Sequence, residues 1–178
     1  MLLQQYEWWL VYSLVVAGKS ATFAERVMAR LFSKQYTPFV YLRRWVTRGV
    51  LREKLEKART GNYTKLEQAL TFVTQKSMRG ELDLTTCHVE DLEAIPGVGP
   101  KTARFFLLQT RPGIRVAALD VHILRWLREN GHTVPKQTPP KGPHYQAIEE
   151  RFLAIADRLG VSPKDLDAKI WEGYRRVW

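Results

Sequence analysis

The sequence predicts an all-α protein. Apolar residues return at every third and fourth position along almost the whole chain, and no stretch keeps the two-residue alternation of a half-buried strand. Glycines and prolines fall between the periodic stretches, where they end or open helices.

The first helix carries Tyr6, Trp9, Leu10, Ser13, Leu14 and Ala17 along one face, and Gly18 suits its end. Phe23, Val27 and Leu31 mark the second, with Ser20 or Thr22 available as its cap. Thr37-Pro38 opens a third through Phe39, Leu42 and Val46, and Gly49 and Gly61-Asn62 punctuate the next pieces. A longer helix over residues 63–76 puts Leu66, Ala69, Leu70 and Val73 on one face. After a loop at 80–85 a short helix is expected over 86–94. Helices at 100–110 and 121–130 flank the Arg111-Pro112-Gly113 turn. Residues 131–143 hold four prolines and two glycines and read as a surface loop, and helices at 144–159 and 163–176 finish the chain.

The 178 residues suffice for one compact unit or two small lobes. With 45% apolar and 11% aromatic residues, the composition favours a folded chain over disorder. An excess of 28 basic over 18 acidic residues leaves +10, which favours a polyanionic partner, either nucleic acid or an anionic membrane surface. The single cysteine, Cys87, excludes an internal disulfide and any cysteine-ligated zinc or iron–sulfur centre. Residues 8–17, WWLVYSLVVA, imitate a signal-peptide core, but no basic run precedes them and they are too short to span a bilayer. They read as a buried first helix.

The segment LEAIPGVGPKT at 92–102 carries the most chemistry. Pro96 ends the short helix, Gly97 and Gly99 permit backbone angles closed to other residues, and Pro100 suits the first turn of a new helix. Helix, tight turn and helix then leave free amides at an N-terminus, able to hold a phosphate without reading a base. Lys101 stands on that first turn, where the helix dipole and partial burial both disfavour an ammonium; a neutral amine is what a lysine nucleophile requires. The plainer alternative is a chain reversal followed by a solvated lysine. Asp120, after the apolar run 116–119, is placed to cap the helix behind it.

Ile95-Pro96-Gly97-Val98-Gly99-Pro100-Lys101-Thr102-Ala103 resembles the helix–hairpin–helix of the DNA glycosylase superfamily, and Leu119-Asp120-Val121-His122-Ile123 resembles the region holding its catalytic aspartate. Residues 62–69 and 80–84 are similar to the segments around the middle helix of endonuclease III-like enzymes. The stretch 165–171 looks more like compact members without an iron–sulfur cluster, including 8-oxoguanine glycosylases. The resemblance implies two helical lobes with a DNA-binding cleft between them: a helical-barrel lobe at 1–114 containing the hairpin, and a second lobe at 115–178 opening with the aspartate.

It further implies a base-excision repair glycosylase with AP lyase activity. Lys101 would attack C1′ of a flipped nucleotide and form a Schiff base, and Asp120 would stabilise the charge developing on the sugar. Gly97, Val98, Gly99 and Thr102 would meet the DNA backbone, with Arg104 on the phosphate-facing surface. Lys19 stands where such enzymes often carry the Gln or Asn that plugs the gap left by the extruded base. Arg125, Arg128 and Lys136 are further basic candidates. His122 is read as structural, and of Trp8, Trp9, Phe105, Phe106, Trp126, Trp171 and Trp178 most are read as core. No cofactor is required and no iron–sulfur cluster is expected, with room for a structural alkali cation at the hairpin carbonyls. The partner is double-stranded DNA containing a damaged base, 8-oxoguanine-like, acted on by a monomer inside the cell and away from membranes. A non-catalytic hairpin module and a monofunctional glycosylase for deaminated or alkylated bases are the alternatives.

Overall fold

A computed structural model describes residues 1–33 and 36–175. The expected end of the last helix at 176, and Trp178, lie outside them. The described residues are all-helical, with no strand: α1 (Leu3–Val16), α2 (Ala21–Leu31), α3 (Pro38–Thr47), α4 (Leu51–Lys57), α5 (Tyr63–Met78), α6 (Val89–Glu93), α7 (Pro100–Thr110), α8 (Val121–Glu129), α9 (Pro143–Arg158) and α10 (Pro163–Arg175). None of these helices is long and apolar enough to cross a membrane. α6 begins at Val89, later than the expected 86. Asp83 first turns the chain by accepting from the Thr85 amide at 2.7 Å, and the His88 amide donates to Asp91 at 2.8 Å to start the helix.

The chain divides into two compact units, Met1–Val98 and a second that starts at Gly99. The division lies ahead of the 114/115 boundary expected from the sequence, because α7 packs on α10 and is ion-paired to α9.

In the first unit α1 packs on α2, α3 and α5, and α3 and α4 both rest on α5. Leu10, Val11 and Leu14 of α1 are buried with Val27 of α2, Leu42 of α3, Leu55 of α4 and Leu70 and Val73 of α5. Each such side chain contributes about 1.5–3 kcal/mol by leaving water. Ser20 caps α2, accepting from the Phe23 amide at 3.2 Å. α3 is capped from a distance: Thr37 makes no side-chain cap, and the buried Glu7 of α1 accepts from the Phe39 amide at 3.1 Å. A carboxylate inside an apolar unit is tolerable because it answers an orphan donor at the positive end of a helix.

In the second unit α10 packs on α7, α8 and α9. Its core joins Leu119, Ile123, Leu124 and Leu127 to Tyr145, Ile148 and Phe152 of α9 and to Leu166 and Ile170 of α10. A buried polar lattice runs through it. Arg104 Nε donates to both Glu149 oxygens at 2.8 and 2.9 Å, and its guanidinium lies 4.5 Å from the Tyr145 ring centroid. Glu149 also accepts from the Ala117 amide at 2.8 Å, while the Tyr145 hydroxyl donates to Ala117 O at 2.8 Å and accepts from Leu119 N at 3.1 Å. These bonds hold the irregular segment 114–119 that delivers Asp120 to the head of α8.

Candidate active site

The hairpin is built as its residues dictate. Gly97 has φ +79°, a conformation costly for any residue with a Cβ, and the Val98 amide donates to Ile95 O at 3.0 Å to close the turn. Gly99 differs from expectation: its φ of −95° and ψ of 175° are extended angles open to any residue, and a Cβ there would meet nothing within 4 Å. What glycine contributes at 99 is an uncovered backbone. The first amide of α7 to find a helical partner is that of Ala103, to Gly99 O at 3.1 Å, so the Lys101 and Thr102 amides lie ahead of the ladder. Val98 is buried and its amide is already engaged, which makes it an anchor of the turn rather than a donor to a phosphate.

Lys101 is half-buried on the first turn of α7, its Nζ 4.8 Å from the Phe105 ring centroid. Burial pushes its amine below the ordinary lysine range, against the pull of Asp120 and Asp167, which favour the ammonium. Burial is thus the principal cause of the depression expected from sequence. Asp120 is buried and does cap α8: one oxygen accepts from the His122 and Ile123 amides, each at 2.9 Å. Its other oxygen accepts from Trp171 Nε1 at 2.7 Å. Capping and electrostatic contact with Lys101 coexist in one side chain.

Two members of this group were not picked out as site residues by the sequence reading. Asp167, half-buried on α10, acts electrostatically on both Lys101 and Asp120. Burial lifts its carboxyl to about 7, the Asp120 charge adds to the rise, and Lys101 opposes it. Trp171 follows one helical turn later and stands 36% exposed, so it is no core aromatic. The resemblance of the stretch 165–171 and the spacing of Asp167 and Trp171 were the signals available, and on a surface helix a carboxylate and an aromatic four apart ordinarily mean a solvated charge and a packing residue.

Other expected residues are placed as follows. Arg104 is not a surface cation: it is buried in the ion pair with Glu149, so the phosphate-facing role expected of it is corrected to a structural one. Lys19 is exposed in the first unit, ahead of the α2 cap, with Nζ 5.5 Å from the Phe23 ring centroid. Arg125 is exposed and pairs with Glu129 at 2.8 Å, and Arg128 donates to Pro135 O at 2.7 Å. Phe106 is fully buried, and the His122 ring packs at 4.7 Å on Trp171 and 5.8 Å on Tyr174.

No family model matches the chain. Two solved structures resemble it. The 8-oxoguanine DNA glycosylase of Methanocaldococcus jannaschii aligns with a TM-score of 0.69 at 24% identity, over 94% of this chain and 77% of that one. The 8-oxoguanine DNA glycosylase of Thermotoga maritima aligns with a TM-score of 0.70 at 24% identity, over 94% and 78%. The chain therefore has the all-helical fold of these 8-oxoguanine DNA glycosylases, in agreement with the helix–hairpin–helix resemblance of its sequence.

Proposed function

We propose that this protein is a DNA repair glycosylase with associated AP lyase activity that excises an oxidised, 8-oxoguanine-like base. The observation that carries the reading is a lysine with a depressed pKa, one residue into the helix behind a glycine hairpin, in electrostatic contact with the buried carboxylate of Asp120. The identity of both structural relatives as 8-oxoguanine DNA glycosylases and the net charge of +10 support it.

In this mechanism the uncovered backbone at Gly99 and the amides of Lys101 and Thr102 receive a DNA phosphate, with Gly97 setting the turn. Lys19 would be a further contact to DNA. With the target nucleotide flipped out of the stack, neutral Lys101 Nζ attacks C1′, the glycosidic bond breaks, and its electron pair leaves with the base. Asp120 stabilises the positive charge that develops on the sugar. Ring opening yields a Schiff base, and β-elimination nicks the strand on its 3′ side. The amine supplies the electron pair, so these steps call for no redox or metal cofactor. A structural alkali cation at the hairpin carbonyls, and action as a DNA-associated monomer, belong to the same proposal.

Borohydride trapping on duplexes carrying oxidised, deaminated or alkylated bases tests it. Wild type is expected to form a covalent adduct with an 8-oxoguanine duplex, and Lys101→Gln to form none. Asp120→Asn is expected to lower turnover by about 10²–10⁴-fold with a much smaller loss of affinity, because asparagine caps a helix as well as aspartate. Binding without base release across the whole panel would reduce the protein to a hairpin module. Base release without an adduct would make it a monofunctional glycosylase.

A further inference from the structure

The two carboxyls near Lys101 are held in opposite ways. Asp120 accepts three N–H groups, two on one oxygen at 2.9 Å each and the Trp171 indole on the other at 2.7 Å. A carboxylate held so has a fixed orientation, serving at once as the cap of α8 and as the tie to α10. Asp167 accepts no hydrogen bond among the described residues. It lies one turn before Trp171 on α10, and since Trp171 reaches Asp120, Asp167 shares the helix face turned to the head of α8. α10 also packs on α7, which carries Lys101.

We propose that Asp167 is the proton carrier of this site and Asp120 its fixed acceptor, an assignment that rests on the glycosylase reading above. Among the described residues the charged groups acting on Asp167 are Lys101 from α7 and Asp120 from the head of α8. α9 supplies none: its Glu149 is paired with Arg104 and its Asp157 with Arg115, and its His144, Glu150, Arg151 and Arg158 are exposed. His122 is turned to the Trp171 and Tyr174 rings.

The first step moves one proton from the Lys101 ammonium to the Asp167 carboxylate. An Nζ–H bond breaks, an O–H bond forms, and the electron pair left on Nζ becomes the nucleophile. As Nζ bonds to C1′ the glycosidic bond breaks, and the departing base nitrogen takes the proton from Asp167, which returns to the carboxylate. Net charge is unchanged throughout. A carboxyl poised at about 7 serves both transfers near neutral pH.

Single-turnover trapping on an 8-oxoguanine duplex, followed from pH 5 to 9 for wild type, Asp167→Asn and Asp167→Glu, tests the assignment. Asp167→Asn is expected to slow trapping about 100-fold and to abolish the inflection near pH 7, with Asp167→Glu recovering most of the rate. If Asp167 acted only through its charge, its loss would depress the Lys101 pKa further. Asp167→Asn would then trap as fast as wild type or faster below pH 7, and that result overturns the proposal. Carbon-13 titration of the wild-type side-chain carboxyls is independent of the variants: one aspartate is expected to titrate near 7, and all of them titrating in the ordinary range also overturns it. Wild type that never traps would instead remove the glycosylase/lyase reading on which the assignment rests.

Discussion

The first unit buries charge only to complete its fold, whereas the second also holds half-buried charge that its fold does not use. Among the described residues, Glu7 is the charged side chain buried in the first unit, and it caps α3. The second unit buries Arg104 and Glu149, which satisfy each other and the Ala117 amide, and beside them holds Lys101 and Asp167 in a cluster with no such closure. Arg104 and Lys101 are three residues apart on one helix and have opposite fates. A guanidinium bonded to both oxygens of a carboxylate is neutralised and immobile, while an ammonium under desolvation, opposed by two carboxylates of which one is bonded elsewhere, is left ready to lose its proton.

Breaking the closed half of this contrast should have the largest effect on stability. Arg104→Ala strands a buried Glu149 and is expected to cost about 3–5 kcal/mol in urea unfolding. A loss as small as that of an ordinary surface substitution would show that the pair is hydrated and that the two halves do not differ as described.

The open half should behave in the reverse sense. The folded protein raises the Asp167 carboxyl from 3.8 to about 7, so between those values the native state binds a proton that the unfolded chain does not. The cost of holding its charge is full above pH 7 and fades as pH falls through 7 toward 4. Asp167→Asn, neutral at every pH, is therefore expected to melt higher than wild type at pH 8, by ~3 °C, with the gap closing by pH 5. A variant that melts lower at pH 8 would mean that Asp167 is stabilising, and the contrast with Glu149 would disappear.

The same sorting applies to the hairpin backbone on a smaller scale. Gly97 meets a demand of the fold, a positive φ, and Gly97→Ala is expected to cost about 1–2 kcal/mol. Gly99 meets none, so Gly99→Ala should change stability by less than about 0.5 kcal/mol while weakening duplex binding measured by fluorescence anisotropy. Unaltered binding would leave the open backbone at Gly99 without a role.

Much of this was legible in the residues themselves. Apart from α4, which the sequence reading did not set out as a helix, the helices follow from apolar spacing, and several ends from Gly18, Ser20, Thr37-Pro38, Pro100 and Asp120, because periodicity and capping are local properties. The placement of Lys101 behind a turn and of Asp120 at a helix cap was legible because a hairpin motif and a cap each have a local signature. Arg104 was misassigned for the opposite reason: an arginine on a helix looks solvated until its partner, 45 residues away, is known.

Sequence alone determined that the chain is helical, where it turns, and that an amine follows a glycine hairpin. Only the tertiary structure decided which charges are closed and which are open, bringing Asp167 and Trp171 of α10 to the head of α8 and burying Arg104 against Glu149. Desolvation and long-range hydrogen bonding depend on neighbours distant in the chain, so the ionisation that the proposed chemistry requires is a property of packing.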